Sequence, residues 1–366
     1  MFHTFIALAY LLPNIYIFLR LGKLFISREN RFYYAIVYLM IALIFPVVSL
    51  NSNHNWGYIG VAANYLLPYF LYLFMSLLLF DALLLVNRFT AFVPFERIKN
   101  AGFKRACLLA VLLLPVLIVT GGIINFHTIR TSEYHIDVPR KASKLDHLKI
   151  AFVADFHLKR SVDIQYVERF TRQIEMIQPD LMIFGGDIVE GGREDASMLR
   201  FEEILRTIHA KYGVYAVFGN HEFYGRQDKG QFFDRAGMQV LCDSNLVFSR
   251  SFNLLGRFDS HFAQRKSIGE LMKSVNDSLP VILVDHRPTE MEEVSKTPVD
   301  IQLSGHTHNG QLFPVNLILK GMYHLTWGYE KIGNTNFFVT SGIRLWGPPV
   351  RTTGKSEIMV IEVNFK

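Results

Sequence analysis

Charged residues are scarce in this chain. Of its 366 residues only 19% are Asp, Glu, Lys or Arg, against about a quarter in an average soluble domain. The shortage is local. No charged side chain occurs from Phe32 to Phe80, a run of 49 residues, where a single membrane-crossing helix needs roughly 20. Cysteine is scarce as well. Cys107 and Cys242 stand in different segments, which excludes a disulfide scaffold, and an apolar content of 50% excludes a disordered chain. Surplus base is missing from the last two thirds. The first 125 residues hold nine Lys or Arg against three acids (Glu29, Asp81 and Glu96), whereas the remaining 241 hold 29 of each sign. All of the net charge of +6 therefore lies beside apolar segments, and no polyanion-binding surface remains, so no nucleic-acid partner is expected. Nothing in the chain points to a protein partner, and there is no internal repeat or low-complexity tract.

The apolar first third predicts four crossings, at Thr4–Leu19, Phe32–Leu50, Tyr58–Val86 and Ala106–Ile124, with the polar run Asn51–Gly57 as the turn of a central hairpin. The first span lacks the basic leader and small-residue cleavage site of a signal peptide. Basic residues collect on cytoplasmic loops. Arg20, Lys23, Arg28 and Arg31 mark one such loop, and Arg88, Arg97, Lys99, Lys104 and Arg105 mark another. Everything after Ile124 is then expected outside the cytoplasm, in a multi-pass protein of the cell membrane. Residues 1–124 are thus a transmembrane region, 125–147 a polar linker of at most about 70 Å if extended, and 148–366 a separate domain.

That domain alternates strand and helix patterns. Leu148–Val153, Leu181–Phe184 and Val214–Phe218 read as strands, with helices at 164–177 and 198–209. Shorter apolar runs follow at 238–241, 246–248, 281–284, 300–303, 336–340 and 357–364. The class is α/β. What stands just after the strands carries the chemistry: Asp155-Phe-His157, Gly185-Gly-Asp187, Gly219-Asn-His-Glu222, Asp285-His286 and Gly305-His-Thr-His308. Strand carboxyl ends are where α/β sheets place ligands, and Asp, Asn and His together make a mixed oxygen and nitrogen donor set. Seven potential ligands are too many for one ion. Two ions about 3.5–4 Å apart that share a carboxylate account for them.

These five clusters, in this order, strongly resemble the calcineurin-like metallophosphoesterase superfamily, over about Leu148–Phe365. Leu303-Ser-Gly-His-Thr-His-Asn-Gly-Gln311 and Trp346-Gly-Pro-Pro-Val-Arg351 are similar to its membrane-anchored bacterial branch, which includes UDP-2,3-diacylglucosamine hydrolases of the lipid A pathway. The resemblance implies a four-layer αββα sandwich behind the four-helix transmembrane region. It implies two divalent metal ions, Mn, Fe or Zn: Asp155, His157, Asp187 and His308 would hold the first, and Asp187, Asn220, His286 and His306 the second. His221 would not be a ligand but would face the leaving group as a catalytic acid. Three departures bear on the substrate and remove no ligand: Asn309-Gly310 stands for a Gly pair, Asp259 for an Asp-Asp pair, and His286-Arg-Pro288 for His-Asn-Pro or His-Gln-Pro.

The activity implied is hydrolysis of a phosphomonoester or phosphodiester by in-line attack of a metal-bridging hydroxide, with a lipid-linked substrate suggested by the tether. Alternatives are a cytoplasm-facing UDP-2,3-diacylglucosamine pyrophosphohydrolase, which needs the opposite topology, and a catalytically silent membrane sensor or scaffold, whose mark would be a missing ligand. Secondary expectations are that Asp81 is interfacial and has no basic partner within the spans, and that Trp327, Arg344, Trp346 and Arg351 line a substrate mouth or pack. The segment Phe252–Met272, with Arg257, Arg265 and Lys266, reads either as strand and helix on the core or as a lipid-facing lid. His261 reads as a surface residue.

Overall fold

The computed structural model describes residues 2–51, 56–190, 196–224, 230–248 and 250–366, without the side chains of residues 2–8 and 196. Part of the expected turn at 51–57 lies outside the described residues. The chain forms two compact units, Met1–Ile124 with Gly347–Thr352, and Asn125–Trp346 with Thr353–Lys366.

The first unit is helical: α1 (Phe2–Phe25), α2 (Arg31–Leu50), α3 (Gly57–Thr90), α4 (Phe95–Lys99) and α5 (Ala101–His127). Among the described residues three helices, not the expected four, are long and apolar enough to cross a membrane: Arg28–Leu50, Gly57–Thr90 and Ala101–His127. The first expected span does fold as α1, a continuous helix in which the side chains of residues 2–8 are not described. Asp81 has the basic partner that the sequence did not reveal. Arg20 reaches it from α1 with Nη2 at 2.5 Å, and the Tyr16 hydroxyl donates to the same carboxylate. An acid on an apolar helix is costly unless paired, and this pair joins α1 to α3. Aromatic side chains fill the contacts, with Phe70 meeting Tyr10 at 6.1 Å and Tyr38 at 6.0 Å between ring centroids.

The second unit is built on twelve strands: β1 (Ile129–Val138), β2 (His147–Val153), β3 (Leu181–Phe184), β4 (Val214–Ala216), β5 (Gln239–Val240), β6 (Ser244–Phe248), β7 (Phe252–Gly256), β8 (Val281–Val284), β9 (Ile301–Ser304), β10 (Gly328–Ile332), β11 (Thr335–Val339) and β12 (Ser356–Phe365). They make two sheets of six, ordered β1-β12-β2-β3-β4-β5 and β10-β11-β9-β8-β7-β6. Phe152, Ile183, Met359 and Ile361 of the first sheet share one buried core with Leu254, Ile282, Leu303 and Phe338 of the second. The two sheets therefore pack face to face. The outer face of the first sheet is covered by α6 (Ile164–Ile177) and α7 (Ala196–Leu205), through Tyr166, Phe170, Ile174 and Phe201. Helices Ile268–Met272 and Met291–Val294 cover the second, through Leu271, Met291 and Val294. This is the αββα arrangement. Strands β3 and β8 are buried along their whole length, which is why they read as unbroken apolar runs.

The stretch expected as a linker, 125–147, contains the end of α5 and the ten-residue strand β1. β1 pairs in parallel with the whole of β12, from Ile129 opposite Ser356 to Val138 opposite Phe365. It is an edge strand that alternates buried and solvated residues, and its exposed Arg130, Glu133 and His135 disguise it as polar linker.

Candidate metal centre

β2, β3 and β4 run parallel as neighbours in one sheet, and β8 and β9 in the other. Each ends at one of the five polar clusters, so the clusters converge at one edge of the sandwich. Asp155, His157 and His308 bring ligand atoms within 4.8 Å of one another, and so do Asp187, His286 and His306. All seven expected ligands except His306, which is partly exposed, are buried. Five of them, Asp155, His157, Asp187, His306 and His308, sit at φ between 49° and 70°, a region that costs energy for non-glycine residues and recurs at functional sites. The packing is tight enough to require glycine: a Cβ on Gly219 would lie 2.2 Å from Asp187 Oδ1, and one on Gly186 would lie 2.6 Å from His286 Nδ1.

His286 is fully buried, and its Nδ1 lies 2.8 Å from the Gly185 carbonyl oxygen. A carbonyl only accepts, so that nitrogen carries the proton and Nε2 presents a lone pair. Nε2 has no hydrogen-bond partner and stands 3.3 Å from Asp187 Oδ2. Two acceptors facing each other in a buried site call for a cation between them. With only protons available, burial opposes charge on His286, but Asp187 outweighs it and pushes the pKa up to about 10. Burial likewise opposes ionisation of Asp187, which His286 nonetheless holds well below the usual carboxylate range. The same conflict recurs in the other cluster. His157 Nε2 and His308 Nε2 are 3.1 Å apart, with Asp155 Oδ1 3.5 Å from the latter, and burial pushes Asp155 up to about 6. The donor set and these facing acceptors fit divalent cations.

Asn220, His221 and Glu222 form one short helical turn, Asn220–Phe223. Asn220 is buried, with Oδ1 3.2 Å from Arg287 Nη2. The His221 backbone N–H donates to Asp187 Oδ1 at 2.8 Å, while its Nε2 lies 3.9 Å from Asp187 Oδ2. His157, Asp187 and His221 also fall within 4.8 Å of one another, so proximity alone does not separate a catalytic acid from a ligand here. Burial draws the His221 pKa below 6.5, and the charge on Asp187 opposes that shift.

Two acids that the sequence reading passed over hold the site together. Glu222 accepts from the backbone N–H groups of Asp187, Ile188, Val189 and Gly219 at 2.7 to 2.9 Å, which pins the β3 loop to the β4 loop. Glu190 sits 3.3 Å from His157 Nδ1, 3.8 Å from His221 Nδ1 and 2.6 Å from Lys159. Its place three residues after Asp187 was the available signal. Asp285, inside the fourth cluster, points away from the ligands and pairs with Arg257 and Arg265 at 3.2 and 2.7 Å.

The late aromatic and basic residues do not form a common mouth. The Arg344 guanidinium stacks over Phe126 and Tyr166 at 5.1 and 4.9 Å, Trp327 donates to Glu357 at 2.6 Å, Arg351 is fully buried and Trp346 is exposed.

Residues 148–310 match the calcineurin-like phosphoesterase family model. An uncharacterized metallophosphoesterase of Helicobacter pylori is 30% identical over 236 residues, covering 62% of this chain and 63% of that protein. A Campylobacter jejuni protein of the same description is 25% identical over 378 residues, covering 100% of this chain and 98% of its own. A Danio rerio transmembrane protein with metallophosphoesterase domain is 27% identical over 281 residues, covering 72% of this chain and 64% of that protein. The match thus spans less than two thirds of the Helicobacter and Danio proteins. Over residues 148–310 the chain is thus similar to the calcineurin-like phosphoesterases.

Proposed function

We propose that this chain is a membrane-anchored phosphoesterase that works with two divalent cations. The observation that supports it best is the pair of facing acceptors, His286 Nε2 and Asp187 Oδ2, 3.3 Å apart in a buried site. Asp155, His157, Asp187 and His308 would hold one ion, and Asp187, Asn220, His286 and His306 the other, with Asp187 common to both. Bound there, the cations would supply an acidified water and neutralise charge on a phosphoryl group. The protein's own part is to hold donors and acceptors in place. Gly185 sets which nitrogen of His286 is free, Glu190 stands 3.3 Å from His157 Nδ1, and Glu222 fixes the two loops. His221, partly exposed at the rim, would give a proton to the departing alkoxide.

We infer further that the phosphoester is presented at a membrane. Helix Val315–Leu319 buries none of its residues, and Phe313, Val315, Leu317, Ile318 and Met322 are 38–68% exposed beside Lys320. Exposed apolar clusters of this kind suit a lipid interface. The helix adjoins the metal-site turn, because a Cβ on Gly310 would lie 2.4 Å from Asn316 N. Orientation follows from charge on the loops. With the Arg88–Arg105 loop cytoplasmic, α5 would deliver the domain to the opposite side, whether or not α1 crosses.

Asp187→Asn tests the dimetal reading. Turnover of an aryl phosphate should be nearly abolished and metal content should fall. Activity within about tenfold of wild type, or about 1.4 kcal/mol, would contradict it.

A further inference from the structure

Two of the three positions where the chain departs from the family pattern touch each other. Arg287 follows the candidate ligand His286, and its Nε donates to Oδ2 of the fully buried Asp259 at 2.7 Å. An arginine held through Nε by a carboxylate presents its remaining N–H groups in a fixed direction. Here Nη2 lies 3.2 Å from Oδ1 of the candidate ligand Asn220, so the guanidinium adjoins the second cation position. Nη2 also lies 2.9 Å from His261 Nδ1, but that nitrogen is 2.8 Å from Asp259 Oδ1. With the carboxylate accepting, Nδ1 carries its own proton and cannot also accept from Arg287. The Nη2 proton that faces His261 therefore meets no acceptor there among the described residues.

A count of oxygens says what that proton can serve. A phosphodiester has two unesterified oxygens, and two cations occupy both. A phosphomonoester has a third, which needs a donor of its own. We propose that Arg287, aimed by Asp259, binds this third oxygen and makes the site selective for a phosphomonoester. The assignment rests on the dimetal reading above and deepens it.

Its test compares wild type, Arg287→Gln and Arg287→Lys as detergent-solubilised, metal-loaded full chains. The substrates are 4-nitrophenyl phosphate and bis(4-nitrophenyl) phosphate, with inorganic phosphate as inhibitor. Arg287→Gln should lower kcat/KM for the monoester by about 10- to 100-fold, the usual scale for a charge-assisted hydrogen bond. Inhibition by phosphate should weaken by a similar factor, metal content should hold, and the diester rate should stay within about threefold. Arg287→Lys should recover part of the monoester loss. Equal losses on both substrates, or loss of metal, would overturn the inference. A wild type that hydrolyses only the diester would overturn it and leave the dimetal reading standing. A wild type that neither binds metal nor hydrolyses either ester would overturn both.

Discussion

At the scale of single residues, His221 and Glu190 separate chemistry from scaffolding. If His221 is the acid, His221→Ala should keep both metals and lose roughly 10²–10⁴ in rate, less for substrates with good leaving groups. Metal analysis beside a leaving-group series checks this, and loss of metal would make His221 a ligand. Glu190→Gln should cost less, about 10- to 100-fold, because its carboxylate faces His157 Nδ1 at 3.3 Å without touching the reacting atoms. The candidate ligands were legible in the sequence because each stands within a few residues of a strand end, in short patterns such as Asp155-Phe-His157. Asp259 and Arg287 were visible only as departures. Their pairing, 28 positions apart, depends on two different strand-end loops meeting, and no local pattern encodes it. The same holds for Arg20 and Asp81, 61 positions apart.

At the scale of elements, buried strands were readable and edges were not. β3 and β8 are continuous apolar runs, whereas β1 shows one polar face, which in sequence resembles a linker. The segment Phe252–Met272 was open between core and lid, and its packing favours the core. Phe252, Leu254, Leu255, Ile268 and Leu271 are buried, and Arg257 and Arg265 turn inward to Asp285. Phe258 and Phe262 stack at 4.1 Å, and both lie against Phe223 at the end of the His221 turn, at 6.1 and 5.5 Å. Replacing both by Ser should therefore lower hydrolysis of a soluble aryl phosphate and of a bilayer-borne phosphoester alike. Helix Val315–Leu319 should behave differently. A double change, Leu317→Asn with Ile318→Ser, should depress hydrolysis of the vesicle-borne ester by about tenfold or more, since two buried aliphatic side chains contribute a few kcal/mol to interfacial binding, and leave the soluble substrate nearly untouched. A flotation assay with anionic vesicles would show whether binding falls in parallel.

At the scale of the whole molecule, the placement of charge along the chain is the ground for the proposed topology. A reporter active only outside the cytoplasm should be active when fused after Lys366 and silent when fused near Lys99. The reverse pattern would place the catalytic domain in the cytoplasm. Three helices rather than the expected four are long and apolar enough to cross among the described residues, and Arg20, just past the expected first span, is tied to Asp81 on α3. That the converging loop residues hold two cations acting together is the reading on which the proposed phosphoesterase rests. It is tested most directly by stripping the detergent-solubilised full chain with chelator and titrating Mn²⁺ or Zn²⁺ back while following hydrolysis of 4-nitrophenyl phosphate. The account predicts negligible rate without metal and a full rate reached only at two equivalents per chain; saturation at one equivalent, or an undiminished rate after stripping, would contradict it.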